Sequence, residues 1–247
     1  MCNKSSSDRI RPYHLYEGEK LSITAIIPAA GIGKRFSGDV KKQFYAILDN
    51  TVLYYTLTAL NRAYPFDEFI LGGNPSDFEY ITSQLKLAGI DNYRLIKGGA
   101  ERYETVYNCL KAVQTETVLV HDAVRPFIAP ETVVSVINAC EAHGAAICGL
   151  KVRDTLKKVT DGMVDKTVNR DEYILSHTPQ VFKTSVLIKA VENAGEFDIV
   201  VTDEAQAMEL YRKKVAVVDS TPDNIKLTYQ QDTFLAESLI KKYFGNV

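Results

Sequence analysis

Short apolar, β-branched runs recur along the chain at 23–27, 69–71, 93–96, 118–121, 145–150 and 215–219, and the stretches between them carry helical spacing. In TVLYYTLTALNRA (51–63), Val52, Leu53, Thr56, Leu57 and Leu60 fall on one face of a helix. PETVVSVINACEAHG (130–144) sets Pro130 near a helix start, where a missing N–H costs nothing, and closes on Gly144 as a cap. Strands alternating with helices of this length predict βαβ units. The expected fold class is α/β and Rossmann-like, a mostly parallel sheet covered by helices on both faces. Sheets of that kind bind ligands at the carboxyl ends of their strands.

The alternation breaks once. VRDTLKKVTDGMVDKTVNRDEY (152–173) alternates polar and apolar residues about a central TDG, which predicts a two-stranded hairpin projecting as an arm. No internal repeat, low-complexity tract or Pro-rich linker divides the rest. The expectation is one domain over 22–247, with the arm at about 152–173, preceded by a short polar extension over 1–21 that lacks the apolar core of a secretory signal.

Composition narrows the functional classes. A chain of 247 residues with a net charge of −2 is not built mainly to coat nucleic acid, so any phosphate site must be a local basic cluster. No apolar stretch reaches the ~18 residues of a membrane span. Cys2, Cys109, Cys140 and Cys148 form no CxxC pair and no metal spacing, and suit free thiols in a reducing, cytoplasmic compartment.

The local basic cluster is IPAAGIGKRFSGDVKKQF (27–44), directly behind the first apolar run. A P-loop fails, because Gly33-Lys34 is followed by Arg35 rather than Ser or Thr. The dinucleotide fingerprint fails too, because Phe36 stands at the third glycine position. What remains is a small-residue turn, Ala29-Ala30-Gly31-Ile32-Gly33, followed by Lys34, Arg35, Lys41 and Lys42. Its bare backbone can approach phosphate oxygens while the cations neutralise them.

Other stretches carry two readings each. Asp122, ending an apolar run, can hold Mg²⁺ together with phosphate oxygens or cap the turn that follows. His121 reads as a satisfied strand-end histidine rather than a base. Arg125 suits a sugar-phosphate contact or plain solvent. Gly98-Gly99 permits close approach to a flat base or makes an ordinary loop, with Arg102 and Thr105 on the first turns of the next helix. Thr202 can cap a helix. Lys226 sits in a loop where a lysine is usually solvated.

Taken in order, PAAGIGKRF with KKQF, KGGAERYETV (97–106), VHDAVRPFI (120–128), VRDTLKKV (152–159), VNRDEYILSHTPQVF (168–182), VTDEAQAMEL (201–210) and PDNIKLT (222–228) resemble the sugar-phosphate nucleotidylyltransferases. The likeness is closest to the 2-C-methyl-D-erythritol 4-phosphate cytidylyltransferase family of the non-mevalonate isoprenoid pathway. It covers about 23–239.

The resemblance implies transfer of the cytidylyl group of CTP to a polyol phosphate. It casts Arg35, Lys42 and Lys226 as the catalytic cations. Ala29, Ala30, Gly31, Gly33, Gly98, Gly99, Arg102 and Thr105 would bind the nucleotide, and Arg125, Thr155, Arg170, Thr178 and Thr202 the sugar phosphate. Asp122 would hold Mg²⁺ or another divalent cation. It also implies a homodimer in which each arm completes the partner's site, with no nucleic-acid or membrane partner. Two departures stand out: Lys41 replaces the family's usual proline, leaving open which lysine points inward, and Thr105 stands where serine is common. A ribitol 5-phosphate cytidylyltransferase, an NAD(P)-dependent oxidoreductase and a non-catalytic nucleotide-binding protein are the alternatives.

Overall fold

The computed structural model describes residues 21–31, 36, 40–197 and 199–245; all but the last residue of the expected extension lies outside that set. In chain order the elements are β1 (Ile23–Pro28), a 3-10 turn (Lys42–Phe44), β2 (Ala46–Ile47), β3 (Asn50–Thr51), α1 (Val52–Ala63), β4 (Glu68–Gly73), a 3-10 turn (Pro75–Asp77) and α2 (Phe78–Leu87). There follow β5 (Tyr93–Lys97), α3 (Arg102–Leu110), β6 (Thr117–Val120), α4 (Pro130–His143), β7 (Ala145–Lys151), β8 (Lys157–Thr160) and β9 (Met163–Thr167). A 3-10 turn (Arg170–Glu172), β10 (Ile174–Lys183), α5 (Thr184–Glu196), α6 (Glu204–Leu210), β11 (Ala216–Asp219) and α7 (Asp232–Phe244) complete the chain.

Seven strands form one sheet in the order β11-β7-β10-β6-β1-β4-β5. All pairings are parallel except those of β10, which runs antiparallel to both β6 and β7. The six expected strands are present. The period of two along each explains how both faces are covered. On β1, Ile23, Ala25 and Ile27 pack with Leu53, Leu57 and Leu60 of α1 and Val133 and Ile137 of α4 on one face. Ile26 points the other way, into a cluster with Val106 and Leu110 of α3 and Leu187 and Ala190 of α5. Complete burial of such a side chain contributes roughly 1.5–3 kcal/mol, so these two layers hold the sheet. Gly144 closes α4 with φ 84°, the left-handed cap expected of it.

A third cluster fixes the loops at the carboxyl end of the sheet. Ala236, Leu239 and Ile240 of α7 pack on Ile47, Val52 and Tyr55, together with Val124 and Phe127 after β6 and Leu227 near the carboxyl terminus. Leu227 N donates to Val124 O at 3.0 Å, so the segment holding Asp122 and that holding Lys226 are stitched together.

The arm is a ribbon of β8 and β9 turned at Asp161 (φ 50°) and Gly162 (φ 78°), the left-handed pair that suits the twist of a tight hairpin. Its strands are exposed throughout, with Val159, Met163 and Val164 at 56%, 74% and 63% exposure. The arm returns through Tyr173 directly into β10, whose first residues are exposed and whose later ones are buried. Of the seven-stranded sheet, β10 is the strand that the hydrophobic pattern did not predict. Ser176, His177, Thr178 and Pro179 interrupt its apolar run, and the pairing with β7 shifts register between His177 and Gln180.

Candidate active site

Strands β1, β5 and β6 end on one cleft of about 600 Å³. Of the residues singled out in the sequence, Ala29, Ala30, Gly31, Lys42, Gly99, Arg102, Thr105, Asp122 and Lys226 line it. Gly33 and Arg35 lie outside the described residues. The turn after β1 is held from behind by Gln43, a buried side chain whose amide donates to Ala29 O at 2.7 Å and Gly31 O at 3.0 Å. Gln43 was not anticipated as a site residue, because its partners are backbone carbonyls. The two lysines are placed differently. Lys41 Nζ pairs with Asp77 Oδ2 at 2.5 Å at the start of α2, and Lys42 lines the cleft.

The glycine pair is packed against protein on its Cβ side. A Cβ on Gly98 would lie 2.4 Å from Ala30 Cβ, and one on Gly99 would lie 2.3 Å from Glu104 Cβ. The close approach that demands glycine is therefore to the phosphate-type turn and to α3. Gly99 N donates to Thr105 Oγ1 at 3.0 Å, and that hydroxyl donates to Glu101 O at 3.1 Å. Threonine thus keeps the hydroxyl for holding the loop. Glu101 and Glu104 form a capping box that opens α3 and delivers Arg102 to the cleft.

Asp122 is the electrostatic centre. Its Oδ1 accepts from Arg102 Nε at 2.9 Å; its Oδ2 lies 2.8 Å from Lys226 Nζ and 3.5 Å from Arg125 Nε. Burial alone would raise its pKa, but Arg102, Lys226 and Arg125 outweigh burial and hold the carboxyl well below the usual range. Arg102 is in turn held by Glu204, with Nη1 to Oε1 at 2.7 Å and Nη2 to Oε2 at 3.0 Å. Burial would depress the Arg102 pKa, and the two carboxylates reverse that and raise it.

Mg²⁺ is usually held by one or two carboxylates plus phosphate oxygens and water. Among the described residues no group of three or more His, Cys, Asp or Glu could cage a metal alone. Asp122, ionised and on the cleft wall, fits a cation shared with a nucleotide's phosphates. Accepting one requires Lys226 to leave Oδ2, and a phosphate in the cleft gives that ammonium a new partner.

Five expected substrate contacts lie elsewhere, and none of them lines the cleft. Arg125, the expected sugar-phosphate contact, is buried, its Nη1 donating to Asn224 O at 2.7 Å. Thr178 lies buried behind Asp122, where Oγ1 accepts from Asp122 N at 3.0 Å and meets His121 Nδ1 at 3.1 Å. Its hydroxyl holds the backbone of Asp122. Thr202 is exposed, and its N and Oγ1 bond to Gln206 Oε1 at 2.7 and 3.0 Å. The cap of α6 is Asp203, one residue later than expected. Thr155 and Arg170 are exposed on the arm, with Arg170 Nη1 donating to Arg153 O at 2.5 Å.

His121 is buried, its Nε2 2.9 Å from Arg125 O, and burial lowers its pKa to about 4. His177, 3.0 Å from Ser220 Oγ, is likewise lowered to about 4 by burial and then by Arg125. Both are neutral and committed to protein partners. Asn224 was also missed. It is fully buried, and its amide donates to Thr178 O at 2.9 Å and Ser220 Oγ at 3.2 Å, pinning the loop two residues before Lys226.

A model of the family described as "IspD: 2-C-methyl-D-erythritol 4-phosphate cytidylyltransferase" matches residues 23–242. The Bacillus cereus protein of that name is 37% identical over 220 residues, covering 88% of this chain and 97% of that one. The crystal structure of 4-diphosphocytidyl-2C-methyl-D-erythritol synthase from Anaerococcus prevotii superposes with a TM-score of 0.79 at 34% identity, over 90% of this chain and 99% of that one. The Thermus thermophilus 2-C-methyl-D-erythritol 4-phosphate cytidylyltransferase gives 0.73 at 29% identity, over 90% and 100%. With the match running through every segment that builds the cleft, the chain belongs to the 2-C-methyl-D-erythritol 4-phosphate cytidylyltransferase family.

Proposed function

We propose that the protein transfers the cytidylyl group of CTP to 2-C-methyl-D-erythritol 4-phosphate, releasing pyrophosphate, in the supply of isoprenoid precursors. The observation that carries this reading is the convergence of Lys42, Arg102 and Lys226 with an ionised Asp122 on one cleft at the carboxyl end of the sheet.

The chemistry needs no general base. A phosphate monoester has a second pKa of about 6 and is largely dianionic at neutral pH, so its oxygen attacks directly. A bond forms to the α-phosphorus of CTP, the bond from that phosphorus to the bridging oxygen breaks, and pyrophosphate leaves with the electron pair. Neutral, buried His121 and His177 agree with a site that moves no proton. The task is to bring two polyanions together and stabilise charge at the α-phosphorus. Lys42 and Lys226 flank that phosphate, Arg35 grips the triphosphate, and Gly99, Arg102 and Thr105 belong to the nucleoside side. Mg²⁺ held through Asp122 supplies charge neutralisation on the triphosphate.

The arm makes the enzyme a homodimer. Exposed Val159, Met163 and Val164 favour a surface to lie on, since an isolated two-stranded ribbon is marginal in water. Thr155 and Arg170 then act at the partner's polyol phosphate. The buried free thiols Cys109, Cys140 and Cys148 suit a cytoplasmic location, and no helix of the described residues is long and apolar enough to cross a membrane.

Pyrophosphate release measured with CTP, UTP, ATP or GTP against methylerythritol phosphate or ribitol 5-phosphate tests the reading. Preference for CTP with methylerythritol phosphate is expected. Equal turnover with a purine triphosphate, or a preference for ribitol phosphate, overturns it.

A further inference from the structure

Glu204 opens α6 and is only 2% exposed, yet it is an ionisable side chain that the transfer chemistry does not use. Both of its oxygens are taken by one guanidinium, that of Arg102 at the start of α3, 102 residues earlier in the chain. Its backbone is immobilised on either side. Asp203 Oδ2 accepts from Ser176 Oγ at 2.8 Å and Gln180 Nε2 at 3.0 Å, and Ala205 N donates to Gln180 Oε1 at 3.2 Å. All of these partners lie on β10. The carboxylate is thus a fixed point anchored in the sheet, and the fork-to-fork geometry fixes the plane of the guanidinium as well as its distance.

Arg102 has five N–H groups, and three are occupied: one by Asp122 and two by Glu204. Among the described residues the other two have no partner, and they can serve a ligand in the cleft that Arg102 lines. Without the Glu204 carboxylate, the whole positive charge of Arg102 would fall on Asp122, the other carboxylate within reach at 2.9 Å. A tighter Arg102–Asp122 pair withdraws from the cleft both a cation that can meet the nucleotide and a carboxylate that can meet its counterion.

We propose that Glu204 is a positioning residue for nucleotide binding: by gripping Arg102 with both oxygens it aims that guanidinium at the cleft and keeps Asp122 exchangeable. This rests on the cytidylyltransferase reading, whose own test is turnover by the unaltered protein; the test of Glu204 is binding alone. CTP affinity in the presence of Mg²⁺ is measured by titration calorimetry on the full chain, alongside a thermal melt.

Glu204→Gln, which keeps shape and removes charge, should raise the Kd for CTP by about tenfold, the effect expected for a charge-assisted contact. Glu204→Asp, which keeps the charge, should bring Kd back to within about threefold of the unaltered protein, on the same scale. A merely structural glutamate would lower the melting temperature in both variants and leave Kd where it was, and that result overturns the proposal. If Glu204→Gln does not fold, Glu204→Asp carries the test alone: its carboxylate sits one methylene further from Arg102, so Kd should rise by about twofold to threefold, and an unaltered Kd overturns the proposal.

Discussion

Lys41 and Lys42 are neighbours in the chain with opposite assignments: Lys41 Nζ lies 2.5 Å from Asp77 Oδ2, and Lys42 lines the cleft. Lys42→Ala should therefore lower kcat on the order of a hundredfold while changing KM for CTP much less, as for a preorganised charge acting in the transition state. Lys41→Ala should cost no more than about 1 kcal/mol of stability, the range of a partly exposed pair, with mild kinetic effect. Steady-state kinetics of both variants decide it, and a reversed ranking refutes the assignment.

Asp122 neutralises three cations, one of them the buried Arg125. Asp122→Asn should destabilise the fold by about 3–5 kcal/mol, the cost of leaving a buried charge unmatched, and should abolish turnover. Guanidinium unfolding of the variant measures the first part. The sign with pH follows from the direction of its shift. Its folded pKa lies below the unfolded value near ~3.9, so its contribution is complete above that pH and is lost only as the solution becomes more acidic. The stability gap between the unaltered protein and the Asn variant should stay constant from pH 7 to about pH 5.

His121 and His177 act in a different window. Each has a folded pKa near 4 against an unfolded value of about 6.5, so the unfolded chain takes up protons first. Above about pH 6.5 they make no difference to stability; between there and pH 4 they erode it. Melting temperature should fall steadily across that interval. In His121→Gln the fall should be shallower, and an unchanged slope would show that His121 is not the group responsible.

Arg170→Ala and Lys226→Ala should each be inactive alone and recover activity when mixed under conditions of subunit exchange. With the arm acting across a twofold interface, random pairing gives mixed dimers with one intact site and one doubly altered site. Activity should return to about a quarter of the unaltered level. No recovery despite proven exchange would place both residues in one subunit's site.

The central parallel strands were legible because both their faces are buried, which leaves continuous apolar runs such as 118–120 in the sequence. β10 was not, because it carries Ser176, His177 and Thr178 to hold the polar layer beneath the cleft, and a proline beside them. The cleft positions of Lys42, Asp122 and Lys226 were legible from motif order. Glu204, Gln43 and Asn224 were not. Their partners are an arginine a hundred residues away or backbone carbonyls, relations that only the folded chain creates. The burial of Arg125 was not legible for the same reason: nothing local in HDAVRPF announces that Asn224 O will receive it.

The passage of the chain from the arm into β10 sets where this protein tolerates engineering. The Asp161–Gly162 turn joins two strands that are exposed throughout, so a peptide tag or a longer hairpin inserted there leaves the core of its own chain undisturbed. Between Tyr173 and Thr178 the same edit has a different result. Ile174 to His177 are already paired with Lys151 to Cys148, and the strand then delivers Thr178 to the backbone of Asp122. One residue added or removed here turns every following side chain to the other face of the sheet and takes the hydroxyl away from Asp122. Within one chain the fold therefore tolerates a change at the tip of the arm, but not a change in the phase at which the arm joins the sheet.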